Sequence, residues 1–216
     1  MRIALIDYGA GNLRSAEKAL AVAARSLGQS LDIRVTSDPD DVMKAERIVL
    51  PGDGAFADCR ENLLAIPGLD QALEESVRAR GRPFLGICVG MQLLVDVGLE
   101  ARLTPGLGWI GGTCEAIKPG DPTLKVPHMG WNTLSQHRPH PLLDGLKLGE
   151  DGHHAYFLHG YHVLPSAVQD IVASADYGGP ITAIIARDNM VGTQFHPEKS
   201  QFLGLSLLAN FLKWAP

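Results

Sequence analysis

The first half of the chain alternates short apolar runs with amphipathic stretches, and no other sequence feature limits the fold as strongly. Short apolar runs are typical of buried strands, and here they cover residues 3–7, 31–36, 47–50 and 83–87. Four stretches have apolar residues three and four apart, as on one face of a helix, at residues 13–27, 56–64, 69–80 and 91–97. One of them follows the first run, two follow the third run and one follows the fourth run. This order predicts a parallel sheet covered by helices on both faces.

The second half of the chain has a different pattern. Between residue 111 and about residue 195, short apolar or alternating runs cover residues 155–158, 171–174, 181–186 and 191–195. Pro, Gly and Asp separate these runs, which predicts strands and hairpins, and a last amphipathic helix begins near Phe202. We therefore interpret residues 1–216 as a single α/β domain. Its central sheet is mostly parallel and flanked by helices, and the second half adds a β-rich part.

Composition argues against several functional classes. The 19 basic and 24 acidic residues give a net charge of −5 without a basic stripe, so we expect no nucleic-acid partner. The most apolar window, residues 84–99, is too short for a membrane span, which needs roughly 18 uninterrupted apolar residues. Three cysteines without C-x-x-C spacing argue against a disulfide framework or a zinc cluster and favour a reducing cytoplasm.

The segment Gly86-Ile87-Cys88-Val89-Gly90 has the form of a nucleophile elbow with cysteine in place of serine. It lies where the fourth predicted strand turns into a helix, and the two glycines permit that turn without Cβ clashes. The turn would lift the Cys88 sulfur above the carboxyl edge of the sheet, where ligands bind and a helix N-terminus favours a thiolate. The alternative is a structural cysteine in the core, since cysteine is among the most buried residue types.

A cysteine nucleophile needs a base, and the base needs a group that orients it. Both occur in His196-Pro197-Glu198, at the end of the predicted strand 191–195. Residues two apart in an extended segment point to the same side, so Glu198 could fix the His196 tautomer while the other ring nitrogen faces Cys88. A surface ion pair is the alternative for His196 and Glu198 taken alone. The combination with a cysteine elbow is considerably more specific.

Residues 51–54, Pro-Gly-Asp-Gly, follow the third predicted strand at the same edge of the sheet. The two glycines expose backbone N–H groups, which could stabilise an oxyanion together with the N–H of Val89. A plain turn is the alternative. The segment is not a phosphate-binding loop, because the Gly-Lys-Ser/Thr of the Walker pattern is missing.

Four of the eight histidines, His153, His154, His159 and His162, lie close together in the sequence. In a single strand His159 and His162 would point to opposite faces, so they could not easily share an ion. We therefore expect no metal site, and no motif in the sequence indicates a cofactor.

The order of a cysteine elbow and a His-Pro-Glu near the C-terminus resembles the class I glutamine amidotransferases. Within that family, three stretches are similar to the glutaminase subunits of imidazole glycerol phosphate synthases. They are residues 6–12 (Ile-Asp-Tyr-Gly-Ala-Gly-Asn), 127–132 (Pro-His-Met-Gly-Trp-Asn) and 194–200 (Gln-Phe-His-Pro-Glu-Lys-Ser). The likeness implies a flavodoxin-like fold and a cytoplasmic heterodimer with a (β/α)8 barrel cyclase of histidine biosynthesis.

The resemblance also implies a mechanism without a metal or a cofactor. Cys88 would attack the side-chain amide of L-glutamine, His196 would pass a proton to the departing ammonia, and Glu198 would orient His196. The thioester would be hydrolysed to glutamate, and the ammonia would pass to the cyclase, which makes imidazole glycerol phosphate and aminoimidazole carboxamide ribotide. The backbone N–H groups of Asp53 and Val89 would form the oxyanion hole. The resemblance assigns Gly52, Gly54, Gln92, Glu100, Gly160 and Tyr161 to glutamine binding, and Asn12, Trp131 and Lys199 to the face towards the barrel.

Two positions depart from the family pattern. The third residue of Pro-Gly-x-Gly is often apolar in the family, whereas here it is Asp53, whose carboxylate would disfavour negative charge nearby. Gly160 stands where a hydroxyl-bearing residue is common, so one contact to the substrate would be missing.

Three alternatives remain open at the level of the sequence. The chain could serve another class I synthase, such as one of anthranilate or vitamin B6 synthesis. It could also be a catalytically inert interaction subunit that keeps the fold, or a cysteine peptidase on a related sheet.

Overall fold

The computed structural model describes residues 1–216 and contains fourteen strands and six α-helices. The strands are β1 Arg2–Ile6, β2 Asp32–Thr36, β3 Arg47–Gly52, β4 Phe84–Cys88, β5 Val97–Gly98, β6 Thr104–Pro105, β7 Gly112–Ala116, β8 His128–Asn132, β9 Ser135–Gln136, β10 Ala155–His159, β11 Tyr161–Pro165, β12 Ile171–Asp176, β13 Pro180–Arg187 and β14 Met190–Thr193. The helices are α1 Leu13–Ser26, α2 Pro39–Lys44, α3 Phe56–Ala65, α4 Leu69–Leu73, α5 Val89–Gln92 and α6 Gln201–Lys213. A π-helical segment, Glu74–Ala79, extends α4, and 3-10 turns occur at Pro141–Leu143, Val168–Asp170 and Pro197–Lys199.

An eight-stranded sheet forms the centre of the molecule, in the order β2-β1-β3-β4-β14-β13-β12-β9. The first five of these strands are parallel neighbours, and β13, β12 and β9 extend the sheet in antiparallel fashion. All five residues of β4 are buried, as expected for a parallel strand that is covered on both faces. The prediction of a mostly parallel central sheet is confirmed.

The helices begin and end where local sequence signals allow. The side chain of Asn12 accepts a hydrogen bond from the backbone N–H of Ser15 at 3.3 Å and so caps α1, and Gly28 follows the helix with a φ of +65°. The buried face of α1 contains Leu20 and several alanines and packs against α6, whereas α2 and α3 pack against α4. These packed helices complete the α/β architecture.

The β-rich part of the second half forms two smaller sheets. One pairs β8 with β10 in antiparallel fashion, and the other has the order β11-β7-β5-β6. The buried apolar side chains of both halves, such as Phe84 and Phe157, belong to one continuous core. The added strands therefore pack onto the central sheet instead of enclosing a core of their own.

One local prediction from the sequence is wrong, and several elements were not predicted. The helix predicted at residues 91–97 ends at Gln92, because Val97 and Gly98 form a strand that pairs with β7. Helix α2 was not predicted, although the Asp38 side chain caps it by accepting from the N–H of Asp40 at 2.9 Å. Strands β7, β8 and β11 also lie outside the predicted runs.

None of the helices has the length and apolar character that crossing a membrane requires.

Candidate active site

The topology brings the ends of three parallel strands to one edge of the central sheet. Gly52 at the end of β3 is the register partner of Cys88 at the end of β4, and Thr193 at the end of β14 is the partner of Ile87. The segments that follow these strands therefore meet above the same edge, which is where open α/β sheets bind ligands. These segments contain the sequence-predicted loop 51–54, the cysteine elbow and His196.

Cys88 lies on a strained turn between β4 and α5. Its φ of +54° and ψ of −110° fall in a region that non-glycine residues rarely adopt, and the side chain is buried. Both flanking glycines are required by close backbone approach. A Cβ on Gly90 would lie 1.9 Å from the carbonyl oxygen of Leu50, and a Cβ on Gly86 would lie 2.4 Å from the carbonyl oxygen of Gly90. The predicted elbow geometry is confirmed.

His196 and Glu198 are in direct contact behind the cysteine. The Nδ1 atom of His196 lies 2.8 Å from Oε1 of Glu198, and both side chains are buried. The predicted contact is present, but it forms because Pro197–Lys199 is a 3-10 turn, not because the segment is extended. The backbone holds the imidazole in place, since the N–H of His196 donates to the carbonyl oxygen of Tyr156 at 2.9 Å and its carbonyl accepts from Oγ of Ser200 at 2.6 Å.

The charge state of His196 follows from these neighbours. Burial lowers the pKa of His196, but hydrogen bonds to Cys88 and Glu198 and the negative charges of both groups outweigh burial and raise the pKa to about 10. The proton therefore stays on the imidazole at neutral pH, which produces an imidazolium between the Cys88 sulfur and the Glu198 carboxylate. This is the arrangement of a cysteine nucleophile with an adjacent proton donor.

The other two cysteines differ from Cys88 in their surroundings. All three are free thiols, but only Cys88 lines the cavity described below. Burial raises the pKa of Cys59 to about 11, and burial also raises the pKa of Cys114. Both therefore remain protonated and unreactive at neutral pH.

A cavity of about 340 Å³ opens directly over Cys88. The residues that line it are Asn12, Asp53, Gly54, Cys88, Val89, Gln92, Glu100, Leu158, His159, Gly160, Tyr161, His196 and Lys199. Most of the residues singled out from the sequence are thus brought together around one space. Leu158 and His159 also line it, and the sequence patterns did not identify them as site residues.

Three of the predicted residues do not line this cavity. Gly52 was predicted to contact substrate, but it is buried, and a Cβ there would lie 2.6 Å from Oη of Tyr8 and 2.9 Å from the backbone nitrogen of Gly90. Gly52 is therefore closely packed beneath the site, and its contact with substrate stays a prediction. Glu198 lies behind His196, as an orienting group should, and Trp131 lies outside the cavity with its side chain about half exposed.

The loop after β3 is held by polar contacts on both sides. Oη of Tyr8 donates to the carbonyl oxygen of Pro51 at 2.8 Å, and the Asp53 carboxylate accepts from the backbone N–H of Gly11 at 2.6 Å. Opposite this loop, Val89 is the first residue of α5, so its N–H has no partner within the helix. Asp53 and Gly54 of the loop and Val89 of the helix all line the cavity in front of the cysteine.

Two buried side-chain amides lie beside the cysteine, Gln194 directly after β14 and Gln92 on α5. Nε2 of Gln194 lies 3.7 Å from the Cys88 sulfur, and Oε1 of Gln194 accepts from Nε2 of Gln92 at 3.2 Å. The same Gln92 nitrogen donates to the carbonyl oxygen of Tyr161 at 3.0 Å. The sequence patterns do not identify Gln194 as a site residue, although its polar side chain within the predicted strand 191–195 is a signal that could identify it.

One oxygen of Glu100 is committed to the fold, because its Oε2 accepts from the backbone N–H of Phe56 at 2.8 Å. The carboxylate is thereby fixed at the start of α3, and Glu100 also lines the cavity.

The residues predicted to face a partner lie at the rim of the site. The Trp131 and Tyr156 rings meet edge to face with centroids 5.5 Å apart, and Nζ of Lys199 lies 5.8 Å from the centre of the Tyr156 ring. Trp131, Tyr156 and Lys199 thus form a single aromatic cluster with a positive charge. The exposed Met129 and Phe202 add apolar surface to the same part of the molecule. Asn12 lines the cavity itself.

The histidine pair considered from the sequence is arranged differently from the expectation. His159 ends β10 and His162 lies in β11, so they do not share a strand, and Gly160 separates the two elements. His159 is paired with His128 instead, with Nε2 of His159 3.2 Å from Nδ1 of His128.

The amino-acid sequence is similar to known proteins over its whole length. Residues 4–214 match the family model described as glutamine amidotransferase class-I. A protein from Rhodospirillum rubrum, named imidazole glycerol phosphate synthase subunit HisH, is 60% identical over 217 residues, and one of the same name from Rhizobium meliloti is 57% identical over 216 residues. Both matches cover 100% of this chain and 100% of the relative.

Solved structures match at the level of the fold. A crystal structure described as a glutamine amidotransferase has a TM-score of 0.69 at 15% identity and covers 97% of each chain. A glutamine amidotransferase from Thermotoga maritima has a TM-score of 0.59 at 20% identity and covers 92% of this chain and 76% of that chain.

Proposed function

Since the chain belongs to the class I glutamine amidotransferase family, we propose that it is the glutaminase subunit of an imidazole glycerol phosphate synthase. It hydrolyses L-glutamine to L-glutamate and ammonia, and residues 1–216 act as one glutamine amidotransferase domain. Relatives that carry this subunit name are 57% and 60% identical over the whole chain, and this identity disfavours the subunits of other synthases. The contact of His196 with Glu198 behind the Cys88 elbow carries the proposal, because catalysis requires this contact whereas an inert subunit or a binding module does not.

The chemical step begins at the Cys88 sulfur. The thiolate attacks the side-chain carbonyl carbon of glutamine, and the C=O electrons move to the oxygen to give a tetrahedral oxyanion. The imidazolium of His196 donates its proton to the amide nitrogen as the C–N bond breaks, which releases ammonia and leaves a glutamyl thioester. A water molecule that gives a proton back to His196 then attacks the thioester and releases glutamate and the thiolate. Glu198 keeps the imidazole in one orientation through both steps.

The oxyanion is stabilised by the backbone N–H groups of Asp53 and Val89. The position of Val89 as first residue of α5 supports this role, because its N–H is free of helix hydrogen bonds. The contacts of Tyr8 and Gly11 with the loop 51–54 support a role for Asp53, because they fix the loop before substrate arrives. Each donor of this kind typically lowers a barrier by about 2.7–4 kcal/mol.

Glutamine is held by groups on both sides of the cavity. The anchored carboxylate of Glu100 supplies a negative charge for the substrate ammonium group. Gln92, Gly54, Gly160 and Tyr161 line the remaining wall and supply amide and backbone hydrogen-bonding groups. A cavity of about 340 Å³ is of the size of an amino acid with hydration water, and at the lower end of the range for small-molecule sites.

The ammonia passes to a (β/α)8 barrel cyclase in a cytoplasmic heterodimer. The half-exposed Trp131, packed against Tyr156, supports a docking surface beside the cavity, since aromatic side chains are enriched at interfaces, and Lys199 lies next to this aromatic pair. Asn12 completes this face at the cavity rim. Three free cysteines support a reducing compartment.

A substitution at Cys88 tests the proposed function. In the complex with the cyclase, Cys88→Ala abolishes glutamine-dependent formation of the imidazole product but leaves formation from added ammonium salt intact. Cys114→Ala is the matched control, because it removes a buried thiol on β7 that does not line the cavity, and it retains both activities. Loss of both activities in folded Cys88→Ala would contradict the division of labour between the two subunits.

A further inference from the structure

A buried chain of hydrogen bonds runs from the small β8–β10 sheet to the cavity. His128 on β8 and His159 on β10 are cross-strand partners, and Nδ1 of His128 lies 3.2 Å from Nε2 of His159. Nδ1 of His159 lies 2.9 Å from the carbonyl oxygen of Tyr161, and Nε2 of His128 lies 3.4 Å from Nδ2 of Asn132. None of the catalytic steps described above uses these two imidazoles.

The groups at the two ends of this hydrogen-bond chain determine which atom donates in each of its hydrogen bonds. The Tyr161 carbonyl can only accept, so Nδ1 of His159 carries a hydrogen and donates it. Nε2 of a neutral His159 is then an acceptor, and Nδ1 of His128 must donate to it. Nε2 of His128 in turn accepts from the amide nitrogen of Asn132. Both rings are therefore neutral Nδ1–H tautomers, and a second proton on either ring would place two donors against each other.

The surroundings keep both rings neutral and in place. Burial lowers the pKa of His128 to about 4 and the pKa of His159 to about 3, and the charges of His162 and His196 contribute to the low value for His159. The His128 ring is stacked between Phe157 and Tyr177, with centroid distances of 4.7 and 4.0 Å. The proton order therefore holds through the neutral pH range.

The hydrogen bonds through His128 and His159 reach the reaction centre at the carbonyl oxygen of Tyr161. It accepts from His159 and also from Nε2 of Gln92, whose neighbour Gln194 lies 3.7 Å from the Cys88 sulfur. Residues 159–161 form one wall of the cavity, and the bond from Gln92 joins this wall to α5. The position of that wall thus depends on a donor supplied by His159, and the orientation of His159 depends on His128.

We propose, on the basis of the glutaminase function above, that His128 and His159 are positioning residues that hold the segment 159–161 in the geometry that binds glutamine. His128 acts only through His159, which lines the cavity and orients the Tyr161 carbonyl. Loss of the His128 donor frees the His159 ring and loosens the wall, so it weakens glutamine binding more than it slows the chemical step.

Two substitutions at His128 separate positioning from packing. His128→Phe keeps an aromatic ring between Phe157 and Tyr177 but removes the donor, and His128→Asn places an amide nitrogen close to the position of Nδ1. With the chain in complex with its cyclase and the ribotide substrate, glutamate release gives KM and kcat. We expect His128→Phe to raise KM for glutamine about tenfold, the effect of one lost buried hydrogen bond, with kcat within about twofold of wild type. His128→Asn restores KM to within about threefold of wild type.

The controls distinguish failure of the inference from failure of the proposed function. Synthesis from ammonium salt stays at the wild-type rate in both variants, which shows that the cyclase is active, and co-elution of each variant with the cyclase shows that the complex is assembled. An unchanged KM in His128→Phe, or equal losses in His128→Phe and His128→Asn, would overturn the positioning role while the glutaminase function stands. An absence of glutamate release by the wild-type complex would instead overturn the proposed function.

A measurement on the unmodified chain does not depend on how the variants fold. Nitrogen-15 shifts of the histidine rings report protonation and tautomer directly. We expect two neutral Nδ1–H rings, assigned by single histidine substitutions, whose signals stay unchanged between pH 6 and pH 8. An Nε2–H tautomer or an imidazolium at His128 or His159 in that range would overturn the proposed proton order and with it the positioning role.

Discussion

The carboxylate of Asp53 accepts a hydrogen bond from the backbone N–H of Gly11, at a distance of 2.6 Å. This bond joins the loop after β1 to the loop after β3, whose backbone we propose to stabilise the oxyanion. Gly11 has a φ of +97°, and a Cβ there would lie 3.0 Å from Cβ of Pro51, so the two loops are also in close contact. Asp53 therefore has a structural task, although the family resemblance led us to expect an apolar residue there.

Two substitutions at Asp53 separate its role as an acceptor from its charge. Asp53→Ala removes the acceptor for Gly11, so the loop moves more freely and glutaminase kcat/KM falls about three- to tenfold, as for a lost hydrogen bond. Asp53→Asn keeps an acceptor oxygen without the charge and stays within about twofold of wild type. Glutamate release by the complex measures both. A rate increase in Asp53→Asn would show instead that the carboxylate opposes the oxyanion.

Gly160 offers a test of the contact that this chain lacks. A Cβ on Gly160 would lie 3.6 Å from Cγ1 of Val126, which is ordinary van der Waals contact, so a small side chain fits. Gly160→Ser adds a hydroxyl at the cavity wall, and we expect KM for glutamine to fall about three- to fivefold. Gly160→Ala is the matched control, with the same Cβ and no hydroxyl, and its KM stays at the wild-type value. Equal KM values for Gly160→Ser and Gly160→Ala would show that a hydroxyl contributes nothing here.

The imidazolium of His196 predicts a specific pH dependence of stability. Its pKa rises from the ordinary 6.5 to about 10 in the folded state, so the stabilisation is complete below about pH 6.5 and is lost as the pH rises towards 10. Glu198→Gln removes one of the two groups that raise this pKa. We therefore expect the free energy of unfolding to fall less steeply between pH 7 and pH 9 in Glu198→Gln than in wild type. Urea unfolding at both pH values measures the difference.

The control for this prediction is Glu61→Gln. Glu61 pairs with Arg102 at the surface, where its side chain is 61% exposed, so the substitution leaves the environment of His196 unchanged. Its pH dependence should match wild type. Parallel curves for wild type and Glu198→Gln would contradict the proposed charge state of His196.

Trp131 provides a test of the partner surface. The side chain is 47% exposed and contacts Tyr156, so Trp131→Ala removes a large apolar area from the rim without opening the core. We expect affinity for the cyclase to fall at least tenfold, because aromatic residues commonly dominate interfaces. Val168→Ala is the matched control, since Val168 is 78% exposed on the turn before β12 and is distant in sequence from the rim residues. Similar affinities of both variants, measured by calorimetric titration with the cyclase, would place the interface elsewhere.

Sequence patterns were sufficient for the parts of the fold that depend on local periodicity. The buried strands β1, β3 and β4 are continuous apolar runs, and α1 shows a regular apolar face between Asn12 and Gly28, so their positions are predictable. The elbow at Cys88 was also predictable, because only glycines at positions 86 and 90 allow such close backbone contact.

The failures have a physical cause in tertiary contacts. Strand β5 interrupts a helical pattern because pairing with β7 satisfies its backbone, which no local signal records. The pairing of His128 with His159 joins residues 31 positions apart across an antiparallel ladder, so it could not be read from the spacing of neighbouring histidines. The contact of His196 with Glu198 was predicted correctly from the wrong local geometry, since a 3-10 turn also brings these two side chains together.

Glutamate release from L-glutamine, measured for the purified chain alone and in complex with the cyclase and its ribotide substrate, is the decisive measurement for a partner-dependent glutaminase. We expect little release by the chain alone and a large rise in the complex, and we expect Cys88→Ala to abolish that rise. Fast release by the chain alone would contradict the assignment as a partner-dependent subunit, and no release under either condition would contradict the proposed glutaminase chemistry.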